Sequence, residues 1–194
     1  EEVGSIFGVM AGCPRHIFQI LTKRPEAMHH MLTFPELEGG IQGHIINEAW
    51  RLGKVRLFDQ SGIWPLKNVW LGVSVENKEQ LQRLDWLRET PAAMRFVSFE
   101  PLLESLGDIA EWLRGSQRRL DWAIIGGESG TQARKCESRW IREILEQLIA
   151  AGVPAWVKQL GSRPWPEVSG RPMHHPKGAD PAEWPTDLRV QELP

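Results

Sequence analysis

Five short apolar segments, separated by stretches with helical periodicity, constrain the fold of this chain more than any other feature. They are His16–Leu21, Val69–Val73, Arg95–Phe99, Trp122–Ile125 and Ala155–Val157. Each is a nearly continuous apolar run rather than an alternation of apolar and polar residues, which is typical of parallel strands covered on both faces. The pattern predicts parallel strands joined by right-handed crossovers.

The stretches between the later segments carry start and stop signals for helices, which we expect over about 77–90, 105–114 and 138–151. Asn77 followed by Gln80 resembles a capping box, and Ser105 followed by Asp108 gives a similar start signal. Gly115 can close the second of these helices in the left-handed conformation, and Gly152 ends the third. The first interval is longer, with two helical stretches before the second strand.

This order of elements predicts an α/β fold of parallel (β/α) repeats. Two arrangements of such repeats are compatible with the sequence, a TIM-barrel-like one and an open doubly wound sheet. The uniform spacing of the last three repeats favours the barrel. The chain opens on Glu1 with a helical pattern and no preceding strand. We therefore expect a partial barrel without its first strands, in either a fragment or a shortened gene product.

The predicted domain organisation is a barrel-like domain over residues 1–160 and a C-terminal tail over 161–194. The tail is rich in proline and has little periodicity. It is expected to pack across the domain in extended form or to be partly mobile.

The amino-acid composition limits which partners and which cellular environment we expect for this chain. The net charge of −2 gives no reason to expect nonspecific nucleic-acid binding. No apolar run approaches the roughly 20 residues of a membrane span, and we expect a soluble, cytoplasmic protein that does not bind membranes. Cys13 and Cys136 are too far apart for a cysteine metal site, and the adjacent pairs His29-His30 and His174-His175 lack further ligands, so no metal site is predicted.

Polar and charged residues follow every predicted strand, at the end where parallel α/β folds bind ligands. In chain order the candidates are Lys23, Arg24, Ser74, Glu76, Ser98, Glu100, Gly126, Gly127, Glu128, Ser129, Lys158 and Gln159. Such a ring can bind an anion, hold an amino-acid zwitterion, or supply general acids and bases. The alternative is a salt-bridge network with a purely structural role.

The run Gly126–Gly130 is the most specific local motif among these residues. Glycines at a strand end let the backbone approach a ligand closely and can form an anion-binding nest. A tight turn without a ligand explains the same run equally well.

Several motifs in the same order resemble a family from phages, prophages and bacteria that is named after phage gene products thirty-seven and sixty-eight. They are Phe18–Pro25 (FQILTKRP), Val69–Asn77 (VWLGVSVEN), Phe96–Leu102 (FVSFEPL), Ile125–Gly130 (IGGESG) and a closing run within Lys177–Val190. The similarity covers nearly the whole chain.

The resemblance implies a TIM-barrel-like domain distantly related to radical S-adenosylmethionine enzymes, among them the DNA photoproduct lyases. A full-length relative carries a cysteine-rich segment that can ligate an iron–sulfur cluster and so use S-adenosylmethionine. This chain begins after that segment, so we expect it to bind no cofactor alone, and radical-SAM-like activity is implied only for a full-length form.

In the resulting interpretation, Glu100 and Lys158 act directly on a ligand, and the other candidates position it. If S-adenosylmethionine binds, the Gly126–Gly130 strand end and the carboxylates hold its amino and ribose groups. The substrate is an unidentified small molecule or nucleic-acid-derived compound. The rival interpretation is a non-catalytic, phage-associated binding or assembly protein that retains the barrel surface.

Overall fold

A computed structural model describes residues 2–33, 64–114, 119–165 and 173–194, together with the helical positions Gly43, Ile45, Glu48 and Arg51. The strands are β1 (Phe18–Thr22), β2 (Val69–Ser74), β3 (Met94–Phe99), β4 (Trp122–Gly126), β5 (Cys136–Glu137), β6 (Ala155–Gln159) and β7 (Pro164–Trp165). The helices are α1 (Glu2–Ala11), α2 (Pro25–Thr33), α3 (Arg83–Glu89), α4 (Ala110–Leu113) and α5 (Ser138–Ala151). Short 3₁₀ turns occupy Lys78–Gln80, Pro181–Glu183 and Thr186–Leu188.

The five predicted strands form one sheet in the order β1-β2-β3-β4-β6, and every neighbouring pair in it is parallel. The α/β class and the parallel pairing are therefore confirmed, and the strand ends fall within two residues of the predicted ones. Among the strands that the structure describes, β1 and β6 are the two edges of this sheet. The first strand begins late because the His16 N–H donates to the Cys13 carbonyl in a turn that precedes it.

Helix α5 matches its prediction because its sequence carries a complete apolar stripe. Ile141, Ile144, Leu145 and Leu148 are all buried, and Gly152 ends the helix with a φ of 65°. The backbone N–H of Gly152 donates to two carbonyls of the last turn, which satisfies groups that a helix end otherwise leaves unpaired.

The other two predicted helices are shorter than expected. The Asn77 side chain accepts from the Gln80 N–H as predicted, but it caps a 3₁₀ turn, and α3 begins only at Arg83. Ser105 does not start a helix, because its hydroxyl hydrogen-bonds to Glu143 of α5. The Asp108 carboxylate instead accepts from the Ala110 N–H and begins the single turn of α4.

The two faces of the sheet differ in what covers them. On the helix face, Val73, Val97 and Ala123 belong to a core to which all five helices contribute buried residues. The aromatic face, defined here by Trp70, Phe96, Trp122 and Trp156, carries the alternate residues of the same strands. Burial of apolar surface on the helix face is the main stabilising contribution.

Phe96 and Trp122 are buried but stand apart from that core, in a small cluster with Trp70. The Trp122 ring lies 6.0 Å from the Trp70 ring in an edge-to-face contact and 6.0 Å from Phe96. Position 72 must be glycine here, because a Cβ on Gly72 would lie 2.4 Å from a ring atom of Phe96.

The C-terminal segment covers the β6 edge of the sheet. The Val157 N–H donates to the Val190 carbonyl, and the Glu192 N–H donates to the Ala155 carbonyl, which makes an antiparallel bridge at Gln191. Earlier in the same segment of the chain, the Trp184 indole is buried and donates to the Gly178 carbonyl. At least this part of the segment packs on the sheet.

At the β1 edge, by contrast, β2 is the only neighbouring strand that the described residues provide. Leu21 of this strand is 50% exposed, and Ile17 just before it is 59% exposed. Among the described residues, no helix is long and apolar enough to cross a membrane.

Candidate functional site

Charged side chains from all five parallel strands gather at the carboxyl end of the sheet. Lys23 and Glu76 lie two residues beyond Leu21 and Ser74, which belong to the aromatic side of their strands. Glu100 likewise lies two residues beyond Ser98, and Lys158 lies two residues beyond Trp156. Ser98 and Trp156 also belong to the aromatic side of their strands. With their contact partners, they form what we call the charged ring: Lys23, Glu76, Arg83, Glu100, Glu128, Arg134 and Lys158.

The buried carboxylate of Glu76 lies between two cations. Lys23 Nζ is 2.6 Å from Glu76 Oε1, and Arg83 Nη1 is 2.9 Å from Oε2. Arg83 Nη1 also donates to the Ser74 carbonyl at 2.7 Å. Burial raises the pKa of Glu76, but Lys23 and Arg83 together outweigh burial and hold that pKa below its usual value. Glu76 is therefore ionised.

The carboxylate of Glu100 is held by two neighbouring residues of β6. Lys158 Nζ lies 3.0 Å from Glu100 Oε2, and Gln159 Nε2 donates to Oε1 at 2.9 Å. The same amide nitrogen of Gln159 donates to the Gly127 carbonyl at 2.9 Å. Gln159 is buried, so it fixes the position of Glu100 relative to the glycine-rich strand end.

Ser74 and Ser98 lie beneath this charged layer. Both are 3% exposed. The Ser74 hydroxyl donates to the Glu100 carbonyl at 3.1 Å, and the Ser98 carbonyl accepts from the Val75 N–H. These contacts join the ends of β2 and β3, so the two serines support the residues above them.

The Gly126–Gly130 run forms a tight connection after β4. A Cβ on Gly127 would lie 2.3 Å from the Leu160 carbonyl oxygen, so the backbone of β6 requires glycine at that position. Gly130 has a φ of 113°, a conformation that side chains disfavour. Its N–H donates to Ser162 Oγ, and the Ser162 N–H donates back to the Glu128 carbonyl.

Glu128 makes a bidentate pair with Arg134, which lies in the same connection. Arg134 Nε donates to Oε2 and Nη2 to Oε1, both at 2.8 Å, and the Arg134 N–H also reaches Oε2 at 2.8 Å. These hydrogen bonds lower the pKa of Glu128 to about 2. Glu128 is ionised over the whole physiological range.

Two of the predicted site residues lie outside these contacts. Ser129 is exposed, and its side chain makes no hydrogen bond with another described residue. Arg24 follows Lys23 but points to the other side of the strand, where it lines a cavity of about 240 Å³ between α1 and α2 with Phe7 and Met28. Its backbone N–H donates to Thr22 Oγ1. Arg24 thus belongs to the helix face.

Arg83 and Arg134 are members of the ring that sequence reasoning missed. Arg83 begins α3, and Arg134 lies in the connection before β5. Nothing in their spacing separates them from the other arginines of the chain, such as Arg88 of the same helix. Only the packing of α3 on β2 brings Arg83 to Glu76.

A larger cavity of about 830 Å³ lies between α4 and α5, and its walls include Asp108, Arg114, Arg119 and Glu146. It contains no residue of the charged ring. Size alone therefore does not identify the functional site, and the arrangement of charged groups is the better guide.

The described residues do not fit an iron–sulfur cluster. They contain no group of three or more His, Cys, Asp or Glu side chains placed to hold a metal ion. Cys136 is buried, and burial together with the charge of Glu137 raises the pKa of its thiol to about 12, whereas a cluster ligand must be a thiolate. Cys13 is partly exposed and separate from it.

Comparison with protein families gives one match. The model of a family described as "Protein of unknown function (DUF5131)" matches residues 1–180. The chain belongs to this family. No curated protein and no solved structure matches the chain. The DUF5131 match covers all five parallel strands and the whole charged ring.

Proposed function

We propose that this DUF5131 chain is part of a radical-SAM-like barrel and binds a small charged ligand at the charged ring. The observation that carries the proposal is the meeting of Glu100 and Lys158, which come from the ends of two strands that are not neighbours. Ligand sites of parallel α/β folds lie beyond the carboxyl ends of the strands, where this pair is found.

Glu100 and Lys158 would contact the ligand directly. Both keep solvent-accessible surface, whereas Glu76 and the two serines are enclosed. The Gln159 amide and the Ser74 hydroxyl hold Glu100 by its carboxylate and its carbonyl. A carboxylate fixed from two sides and an exposed ammonium are suited to orienting a polar ligand and to exchanging a proton with it.

The remaining predicted residues would shape and support the site. Lys23, Glu76 and Glu128 complete the charged ring, and Gly126, Gly127 and Ser129 bring the backbone close to the ligand. No radical step is assigned to this chain, because its described residues do not supply thiolates for a cluster. That chemistry would require the cysteine-rich segment of a full-length relative.

A second function is favoured by a different observation. Each carboxylate of the ring already has a cationic partner within 3.0 Å. Saturated ion pairs are what a non-catalytic, phage-associated binding or assembly protein would retain for structural reasons. The two functions predict opposite outcomes for the removal of a single ring charge.

The test is a thermal-shift screen with methionine, S-adenosylmethionine, adenosine and inorganic pyrophosphate. Binding to the folded state raises the melting temperature, and the stabilisation grows with the logarithm of one plus the ratio of ligand concentration to Kd. At least one compound should stabilise the wild type and leave Glu100→Gln unchanged. Glu79→Gln, on an exposed turn outside the ring, is the matched control and should respond like the wild type. If no compound distinguishes Glu100→Gln from Glu79→Gln, the scaffold function is favoured.

A further inference from the structure

Three of the four cations of the charged ring face outward, whereas its carboxylates and Arg83 face inward. The side chains of Lys23, Lys158 and Arg134 are 61%, 55% and 60% exposed, whereas those of Glu76, Glu100 and Glu128 are 10%, 16% and 26% exposed. Each cation is therefore held from below by a less exposed carboxylate. Its remaining N–H groups point toward solvent, because the carboxylate takes only part of its donors.

The ion pairs also bring the two lysines toward each other. Lys23 comes from the β1 end and pairs with Glu76 beyond β2, while Lys158 comes from β6 and pairs with Glu100 beyond β3. Strands β2 and β3 are neighbours, so their ends lie about 5 Å apart. The two lysines come from opposite sides of the sheet, but the carboxylates that hold their ammonium groups follow neighbouring central strands.

Arg134 completes this group of donors. Its guanidinium uses Nε and Nη2 for Glu128, and Nη1 donates to no other described residue. Its pKa is raised mainly by the hydrogen bond to Glu128 and in smaller part by the charge of Glu76. Glu128 follows β4, the neighbour of β3 in the sheet, so its pair with Arg134 lies at the same strand ends as Glu100, and the effect of Glu76 on the pKa of Arg134 agrees with this placement.

The ring has an excess of positive charge. Four cations, including Arg83, are set against three carboxylates, in a chain whose formal net charge is −2. A local positive excess on an acidic protein attracts anions to that place and not to the rest of the surface. Charge-assisted hydrogen bonds from ammonium and guanidinium groups are the usual contacts of phosphate oxygens.

We infer that the charged ring binds a phosphate-bearing small molecule, whose phosphate oxygens accept from Lys23, Lys158 and Arg134. Glu76 and Glu128 orient these cations, and Glu100 both holds Lys158 and contacts a polar group of the same molecule. This inference rests on the proposed function and specifies its ligand class. A small molecule fits better than a nucleic acid, because three exposed cations at one place cannot follow a phosphodiester backbone whose contacts are spread along the chain.

The probe is inorganic pyrophosphate, titrated by calorimetry at low ionic strength. Lys23→Met and Lys158→Met should each raise its Kd at least about tenfold, the usual effect of losing one charge-assisted hydrogen bond. Lys67→Met removes the same charge at the opposite end of β2, where the side chain is exposed, and should leave the Kd within about twofold. Lys158→Arg should recover most of the binding, and Arg134→Gln gives an independent test if a methionine variant fails to fold.

Three results would overturn the inference, namely no binding of pyrophosphate by the wild type, equal weakening in Lys67→Met, or tighter binding of a single-stranded oligonucleotide than of pyrophosphate. The two proposals fail differently. If methionine or adenosine binds at Glu100 and pyrophosphate does not, the site remains and the phosphate ligand is wrong. If none of these compounds binds, both proposals fall.

Discussion

Lys158 Nζ lies 3.0 Å from Glu100 Oε2 although strand β4 separates the two strands that carry them. Gly126 is the residue of β4 that lies between Glu100 and Lys158. A Cβ there would lie 3.2 Å from Glu100 Cδ and 3.3 Å from Gln159 Cγ. The absence of a side chain on the middle strand is what allows side chains of the flanking strands to meet across it.

Gly126→Ala and Gly127→Ala should therefore differ in severity. Alanine at 126 would displace the Glu100 carboxylate by a few tenths of an ångström, so its effect falls on the ion pair and costs about 1 kcal/mol of stability or less. Alanine at 127 would meet the backbone oxygen of Leu160 at 2.3 Å and should cost about 3 kcal/mol or more. Urea denaturation of both variants measures the difference, and equal losses would contradict it.

Removing the inner carboxylate should destabilise the protein. Glu76→Gln leaves Arg83, which is mostly buried, beside a neutral group, and we expect a loss of about 2–3 kcal/mol in the free energy of unfolding. Glu79→Gln is the control, because Glu79 is exposed on the neighbouring turn and should change stability by less than about 0.5 kcal/mol. Similar stabilities of the two variants would show that the Glu76 pairs are not structural.

The outer pair should behave in the opposite way. Glu100→Gln and Lys158→Met remove a contact whose lysine is 55% exposed, so each should leave the free energy of unfolding within about 1 kcal/mol of the wild type, or raise it. Thermal and urea unfolding check this expectation. A loss of several kcal/mol in both variants would assign the outer pair to the scaffold as well.

The Glu128–Arg134 pair predicts a specific acid dependence. The pKa of Glu128 is about 2 in the folded protein and near its ordinary value of 4.5 in the unfolded chain, so the unfolded state binds the proton first as pH falls. The stabilisation is complete above about pH 4.5 and is lost as pH falls toward 2. Arg134→Met should raise the pKa of Glu128 toward 4.5, which NMR titration of the carboxyl carbon measures. An unchanged pKa would exclude the arginine as its cause.

Deletion of residues 190–194 should expose the β6 edge. It removes the hydrogen bonds of Val190 and Glu192 to β6 and the Glu192 carbonyl that accepts from the Trp122 indole at 2.9 Å. We expect a loss of about 2–3 kcal/mol and concentration-dependent association through the unpaired strand. Deletion of residues 193–194 alone keeps these bonds and should preserve both stability and the elution volume in size-exclusion chromatography.

The strands were predictable because the runs around Val73, Val97 and Ile125 are apolar on both sides, which is a local property of the sequence. The helix expected at 105–114 was not, since Ser105 and Ile109 satisfy their polar groups with Glu143 and Gln147 of a helix that lies far along the chain. Local start signals cannot reveal such distant competition.

The candidate site, like the fold, could be predicted from the sequence only in part. Its residues could be predicted to share one end of the sheet, because parallel strands end together. Their pairing could not, since the contacts of Arg83 and Arg134 depend on how α3 and a connection pack. Arg24 follows Lys23 directly in the sequence, yet its side chain lines the cavity on the helix face, which the shared position after β1 does not reveal.

The position of β1 at the sheet edge has a consequence for amide hydrogen exchange. Amides of β3, which has a neighbouring strand on each side, should exchange only in global unfolding, while those of β1 should exchange through smaller openings. Glu100 therefore follows a strand that we expect to exchange slowly, and Lys23 follows one that we expect to exchange faster. In the charged ring, Glu100 should therefore move only when the whole sheet unfolds. Lys23, by contrast, should be able to detach from Glu76 when β1 alone opens.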